Sequence, residues 1–302
     1  MESKFQKINS SLSSIKGWLR NRFLESLSLL KMIRFKSPLQ FIWAQILFLL
    51  IYSLIYPILR VFFGREKAHN ICNSFLNTHL SSMLLLSLPS PLESKIMMHW
   101  ADFGLYREIY SEDIYSQEIL MKEMNVVDIG AHVGTYTILA AEKVGKNGKV
   151  IAIEPDPKNY KYLLKNIKLN NFQNVIPINI ALADRNGSEK LYLHFSSMCH
   201  SLISQEDKNS YIKVPVKTVD KLVEELNLKK IDVIKIDTEG AEMPILRGAE
   251  KTLKANPNVK LFIASYHYPS EIQEVCQFLN KRGFETKISQ NTIVTTIQKT
   301  GK

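Results

Sequence analysis

Four ionisable side chains fall within eight residues at the end of one apolar run: Lys235, Asp237, Glu239 and Glu242 in "KIDTEGAE". Carboxylates set this close together can accept a proton or hold a hydroxyl in place. Alternation along the run aims Asp237 into a cleft. Glu239 and Glu242 precede or begin a helix, where acids also complement the helix N-terminus. A later run ends in Tyr266, His267 and Tyr268, and a histidine at such an edge serves as a proton acceptor at neutral pH. Asp237, Glu239 and His267 are therefore the candidate catalytic residues. No metal-ligating set is assigned, and the assistance of a divalent metal is left open.

The second chemical feature is the stretch "VVDIGAHVGTYTILAA", Val126 to Ala141. An apolar strand enters a glycine turn and then a helix, an arrangement that gathers unpaired backbone N–H groups and the positive end of a helix dipole. A dinucleotide site needs G-x-G-x-x-G, and after Gly130 the chain reads Ala131, His132, Val133, Gly134, without the central glycine. No lysine followed by serine or threonine comes after Gly134, so a triphosphate P-loop is excluded as well. A nucleoside-like ligand remains. Glu154 ends the next strand, where a doubly wound sheet places an acid against ribose hydroxyls. Its two oxygens match two vicinal hydroxyls. Asp184, beyond the third strand, is placed to accept from an exocyclic amine such as adenine N6, although Asp184-Arg185-Asn186-Gly187 is also good turn chemistry. Asp128, inside the first strand, orients the glycine turn.

These residues need a scaffold, and from residue 120 onward strand-like runs alternate with helix-like segments, the mark of a parallel sheet covered on both faces. Val126 to Ile129, "GKVIAIEP", "NVIPINIAL", "IDVIKID" and "VKLFIASYH" read as successive strands. Thr135 to Val144, Pro157 to Leu169, "TVDKLVEEL" with Thr218 as its cap, Ala241 to Leu253 and Glu271 to Arg282 read as helices. The polar excursion from Asp184 to Lys213 contains a hairpin strand after Asn186-Gly187. "FETKIS" and "TIVTTI" close the chain as a pair.

Of 302 residues, 45% are hydrophobic, enough for one substantial core with room left over. Cys72, Cys199 and Cys276 are far apart and odd in number, which suits a reducing compartment and neither a disulfide framework nor a zinc site. Net charge is +10, of which residues 1–36 hold +6 through eight Lys/Arg against Glu2 and Glu25. That distribution argues against a nucleic-acid groove on the main domain and for an anionic membrane surface near the N-terminus. Ser37 to Leu59 is 23 residues without a charge, long enough to cross a bilayer as a helix. Gln40, Gln45, Ser53 and Pro57 dilute it, which leaves a buried core helix as the alternative, and Pro57 with the two glutamines also allows it to lie in the interface or re-enter without crossing. Upstream, Ile8, Leu12, Ile15, Leu19, Phe23 and Leu27 recur at helical spacing among basic residues.

Taken in order, the D-I-G-A-x-x-G turn, "EPDP", "KNIKLNN" and "KIDTEGAE" resemble the FkbM family of S-adenosylmethionine-dependent methyltransferases over roughly residues 105 to 290. The resemblance implies a class I Rossmann-like, doubly wound α/β sheet of about seven strands, the last pair including an antiparallel strand. It further implies Gly130 and Gly134 against the methionine part of the cofactor, Glu154 on its ribose and Asp184 near adenine. His132 stands where many members have asparagine. Ala264-Ser265-Tyr266-His267 departs from the glutamate-then-histidine ending common in the family. The implied reaction is O-methylation of a hydroxyl on a sugar, glycan or lipid-linked acceptor, with no nucleic-acid partner.

The expected organisation is a basic amphipathic segment at 1–36, an apolar anchor at 37–63, a helical linker at 64–104 and the methyltransferase domain at 105–302. Two rules conflict over its location. The basic N-terminus favours a cytoplasmic start to a crossing that would export the domain, whereas the cofactor and the cysteines require the inside. The expectation is a monotopic protein, membrane-associated through its N-terminal segments, with the catalytic domain facing the cytoplasm.

Overall fold

The computed structural model describes residues 55–64, 67–68, 71–72, 85–87, 92–98, 102–193, 200–203, 210–289 and 292–298. Two compact units divide the chain, one of residues 1–93 and 97–101, the other of residues 94–96 and 102–302. In the first, a helix spans Tyr56–Phe63 with Pro57 in its first turn, where a missing N–H does no harm. Its Tyr56 is buried, while Ile58, Val61, Phe62 and Phe63 are exposed. The basic segment and most of the apolar run lie outside the described residues. Among the described residues, no helix is long and apolar enough to cross a membrane.

The second unit is a seven-stranded sheet with helices. Helix α1 (Phe103–Tyr110) precedes β1 (Asn125–Ile129), α2 (Thr135–Val144), β2 (Lys149–Ile153), α3 (Pro157–Leu169) and β3 (Val175–Ile178). Three strands of a smaller sheet follow: β4 (Ala181–Leu182), β5 (Gly187–Tyr192) and β6 (Tyr211–Lys217). Then come α4 (Val219–Glu225), β7 (Val233–Ile236), α5 (Glu242–Arg247), α6 (Glu250–Ala255), β8 (Lys260–Ala264), α7 (Glu271–Asn280), β9 (Phe284–Ser289) and β10 (Thr292–Gln298). The large sheet runs β9-β10-β8-β7-β1-β2-β3. Strands β3, β2, β1, β7 and β8 are parallel neighbours, and β10 pairs antiparallel with both β8 and β9. This is the doubly wound class I methyltransferase arrangement, with its antiparallel strand in the last pair.

Strands β1, β2, β7 and β8 are apolar almost throughout because helices cover both faces of the sheet. Val127, Ile151, Ile234 and Leu261 meet Ile245, Leu246, Val275 and Leu279 in one core. Strand order reverses between β1 and β7, so the carboxyl ends of those strands border the crevice where open α/β sheets bind ligands.

Three local differences from the expected elements have physical causes. The third strand stops at Ile178, because Asn179 turns its side chain to the carbonyls of Glu154 and Pro155, at 2.7 and 3.0 Å. Ala181 and Leu182 then pair in parallel with Val216 and Lys217 of the small sheet. The strand after Asn186-Gly187 pairs antiparallel with β6, from Gly187 opposite Val216 to Tyr192 opposite Tyr211. Finally, the helix expected from Ala241 to Leu253 is two helices broken at Gly248. A Cβ on Gly248 would stand 2.1 Å from the Ala183 carbonyl oxygen, so the backbone there is pressed against the small sheet. The Thr218 cap is present, its hydroxyl accepting from the Lys221 N–H at 3.1 Å.

Candidate functional site

The glycine turn after β1 is held from below by charge. Asp128 is fully buried, accepts from the Thr137 hydroxyl at 2.6 Å and lies 3.2 Å from Lys235 Nζ. Lys235, itself 4% exposed, donates to the Gly130 carbonyl at 2.7 Å and stands 3.8 Å from Asp237. Burial alone would discharge this lysine, but Asp128 and Asp237 outweigh it and raise its pKa above the ordinary lysine value. Asp128 therefore orients the turn from behind and lines no part of the cleft. Gly130 has φ +77°, and a Cβ there would sit 1.9 Å from the Asp237 carbonyl oxygen. Only glycine permits β1 and β7 to end this close together.

Four N–H groups of the turn are bonded within the chain. Gly130 and Ala131 both donate to the Ile153 carbonyl, at 3.0 and 2.9 Å, and Gly134 donates to Ala131. His132 N–H goes to Glu154 Oε2 at 2.8 Å. The expectation of an N–H cradle is corrected by this internal satisfaction.

Glu154 lies at the carboxyl end of β2, 5% exposed, its other oxygen accepting from the Asp156 N–H at 2.9 Å. Burial pushes its pKa up to about 7, although the two backbone donors oppose that shift. The Asn159 side chain also donates to this carboxylate, whose remaining acceptor capacity faces the cleft. Gly130, His132, Glu154 and Asp237 line one cleft of about 560 Å³, counted to its open mouth, with Ile180, Leu182 and Leu202 on an apolar wall. His200, beside Asp156 at 3.4 Å, also reaches it. Gly134 is set back, its Cα facing Leu163 of α3. Asp184 lies apart: it pairs with Arg185 at 2.9 Å and borders a different groove, on the far side of Gly248. Its turn chemistry prevails, and Ile180 and Leu182 occupy the wall where an acid was expected.

The acceptor end is formed by β7, β8 and α7. Tyr115 donates to Asp237 Oδ2 at 2.8 Å. Glu239 takes φ +56° and its carbonyl accepts from the Ser201 hydroxyl at 2.6 Å. His267 is enclosed by carboxylates, with Nδ1 at 3.1 Å from Glu271 and 3.5 Å from Glu242, and Nε2 at 3.8 Å from Glu239. Burial works against its positive charge, yet these three acids prevail and push its pKa to about 12. The acids around it favour the charged ring, so His267 orients and compensates them unless another cation takes the place of its proton. Behind it, burial raises Glu242, whereas Glu271 is lowered despite its burial by hydrogen bonds from His267 and Glu242.

The structure thus brings Gly130, His132, Glu154, Asp237 and Glu239 to one cleft, places His267 against its acidic end, and leaves Asp128 beneath and Asp184 outside. Tyr115, Glu271 and the apolar wall escape sequence reasoning. Tyr115 stands 122 residues from its partner in no motif. Glu271 is readable only as an acid four residues after His267.

The family model described as Methyltransferase FkbM domain matches residues 128–286, just over half of the chain. Methyltransferase 1 of Beauveria bassiana is 25% identical over 166 residues, covering 48% of this chain and 66% of that protein. Hexuronic acid methyltransferase AglP of Haloferax volcanii is 25% identical over 165 residues, covering 54% of this chain and 64% of its own length. The chain therefore spans about two thirds of the length of these relatives. The crystal structure of a methyltransferase FkbM from Methylobacillus flagellatus is 18% identical with a TM-score of 0.40, covering 58% of this chain and 43% of that one.

Proposed function

We propose, for a chain that belongs to the FkbM family of S-adenosylmethionine-dependent methyltransferases, O-methylation of a hydroxyl on a sugar, glycan or lipid-linked acceptor. The residues fit the cofactor. Glu154 offers buried acceptors for a ribose diol, Ile180 and Leu182 an apolar wall for a purine, and the acids of the cleft favour a cation over a phosphate. Bound there, S-adenosylmethionine supplies a methyl group on a sulfonium, an electrophile that needs no further activation.

The chain's own task is to hold an acceptor oxygen in line and take its proton. Asp237 and Glu239 present the carboxylate oxygens for that proton. Tyr115 and Lys235 keep Asp237 pointed, while His267 stands beside the loop of Glu239.

The observation that carries the proposal is the acidic acceptor end, where Asp237, Glu239 and His267 gather beyond the Glu154 cleft. Such an end accommodates a hydroxyl and offers acceptors for its proton. A hexuronic acid methyltransferase among the relatives supports the sugar class. The test is mass spectrometry of glycans and lipids from a strain lacking the protein. One acceptor species should become lighter by a methylene, and an unchanged glycan and lipid profile would count against the proposal.

A further inference from the structure

The acidic end of the cleft holds more than a general base requires. One donor atom each from Asp237, Glu239 and His267 lies within 4.8 Å of the others. Opposite ligands on an ion with bonds of about 2.0–2.2 Å stand roughly 4.4 Å apart, so a small side-chain adjustment brings all three into a first coordination sphere. The site is empty. We infer that Asp237, Glu239 and His267 form a binding site for one divalent cation at the acceptor end of the cleft.

The observation that separates this cluster from an ordinary group of acids is His267 Nε2. The side chain is 4% exposed, and this nitrogen has no hydrogen-bond partner, its nearest acceptor being Glu239 Oε2 at 3.8 Å. The opposite nitrogen, Nδ1, is fixed by Glu271 at 3.1 Å. A carboxylate behind one ring nitrogen, with the other left unbonded and turned toward a second carboxylate that lines the cleft, is how a protein orients a metal-ligating histidine. Asp237 is prepared in the same way. Tyr115 and Lys235 both engage Oδ2, which leaves Oδ1 for a ligand.

A second group of possible ligands, Glu242, His267 and Glu271, lies behind the first. Both of its carboxylates are fully buried, and Glu242 Oε1 already accepts from the Thr238 N–H and hydroxyl, at 2.8 and 3.0 Å. That group is the support for the ring, and the cation belongs on the cleft side.

Two carboxylates and one imidazole are mixed oxygen and nitrogen donors, a set suited to a borderline ion such as Mn²⁺ or Zn²⁺ and poorly matched to Ca²⁺. Three protein ligands leave positions open for water and for an acceptor hydroxyl, whose proton an adjacent ion makes easier to remove. This deepens the proposed methyl transfer and rests on it for its purpose, though not for its detection.

The test uses the full chain, stripped with EDTA and titrated with Mn²⁺ while the free ion is followed by electron paramagnetic resonance. One Mn²⁺ per chain should bind, with nitrogen coupling from an imidazole in the spin-echo spectrum. Asp237→Asn and Glu239→Gln should each weaken binding by about tenfold or more, whereas Glu224→Gln, on an exposed helix, should leave it unchanged. His267→Gln should abolish the nitrogen coupling, and Glu239→Gln, on a loop, keeps the test decisive should His267→Gln fail to fold. Absence of bound Mn²⁺, or binding unmoved by both carboxylate variants, overturns the site. Failure to bind Mn²⁺ while methyl transfer continues undiminished in EDTA overturns the site and leaves the transferase intact. Stoichiometric Mn²⁺ binding without any methyl transfer supports the site and counts against the transferase.

Discussion

Lys235 Nζ donates to the Gly130 carbonyl oxygen at 2.7 Å, a bond that ties the end of β7 to the glycine turn after β1. Because Asp128 and Asp237 flank the same ammonium, one buried cation fixes both the cofactor turn and the acceptor-side acid. Lys235→Met should therefore destabilise the domain by about 3–5 kcal/mol, the usual effect of leaving buried carboxylates without their partner. Urea denaturation measures it, and a loss under about 1 kcal/mol would show that the turn holds itself.

Glu154 makes cofactor binding depend on pH. Its folded pKa of about 7 lies above the ordinary 4.5, so across that window the folded chain keeps a proton that the unfolded chain has released. Stability contributed by this group is thus present at low pH and is lost as pH rises towards 7. Affinity moves the other way, because the ionised carboxylate is the better acceptor for ribose hydroxyls. Asp156 on the same loop, with His132 and His200 across the cleft, are the titratable neighbours. Calorimetric titration should show affinity for S-adenosylmethionine falling below pH 7, by at most about tenfold per unit. Glu154→Gln should bind more weakly and lose most of that dependence. A wild-type affinity flat from pH 5 to 8 would remove Glu154 from the cofactor.

Tyr115→Phe removes the hydroxyl that points Asp237. Turnover should fall while cofactor affinity stays within about twofold, and stability should drop by about 1 kcal/mol, as for one lost hydrogen bond. Equal losses in turnover and cofactor affinity would make Tyr115 a folding residue.

Periodicity made most of the sheet legible. The apolar runs of β1, β2, β7 and β8 are buried on both faces and need little context to be recognised. Strand-ending acids such as Glu154 and Asp237 could be placed because chain direction in a parallel sheet puts them at one edge. What escaped depends on contacts distant in sequence. The break at Gly248 comes from the Ala183 carbonyl pressing on it, and the fate of Asp184 from a neighbouring Arg185 that claims it. His267 looked like a base because three carboxylates, two of them from other segments, cannot be assembled around it from spacing alone.

The N-terminal segments carry a prediction of location. We expect the basic residues 1–36 and the apolar run 37–59 to dock on the cytoplasmic leaflet, keeping the catalytic domain inside. Reporter fusions at Lys67 and at the C-terminus should both report cytoplasm. A C-terminal reporter active only outside the membrane would contradict this placement.

The most direct measurement follows a radiolabelled methyl group from S-adenosylmethionine into glycan or lipid-linked acceptors, comparing the wild-type chain with Asp237→Asn. Transfer should yield an alkali-stable methyl ether, and Asp237→Asn should reduce it by about 100-fold or more while cofactor affinity is retained. Label released by mild alkali as methanol, the mark of a methyl ester, or transfer indifferent to Asp237, would contradict a hydroxyl acceptor held at the acidic end of the cleft.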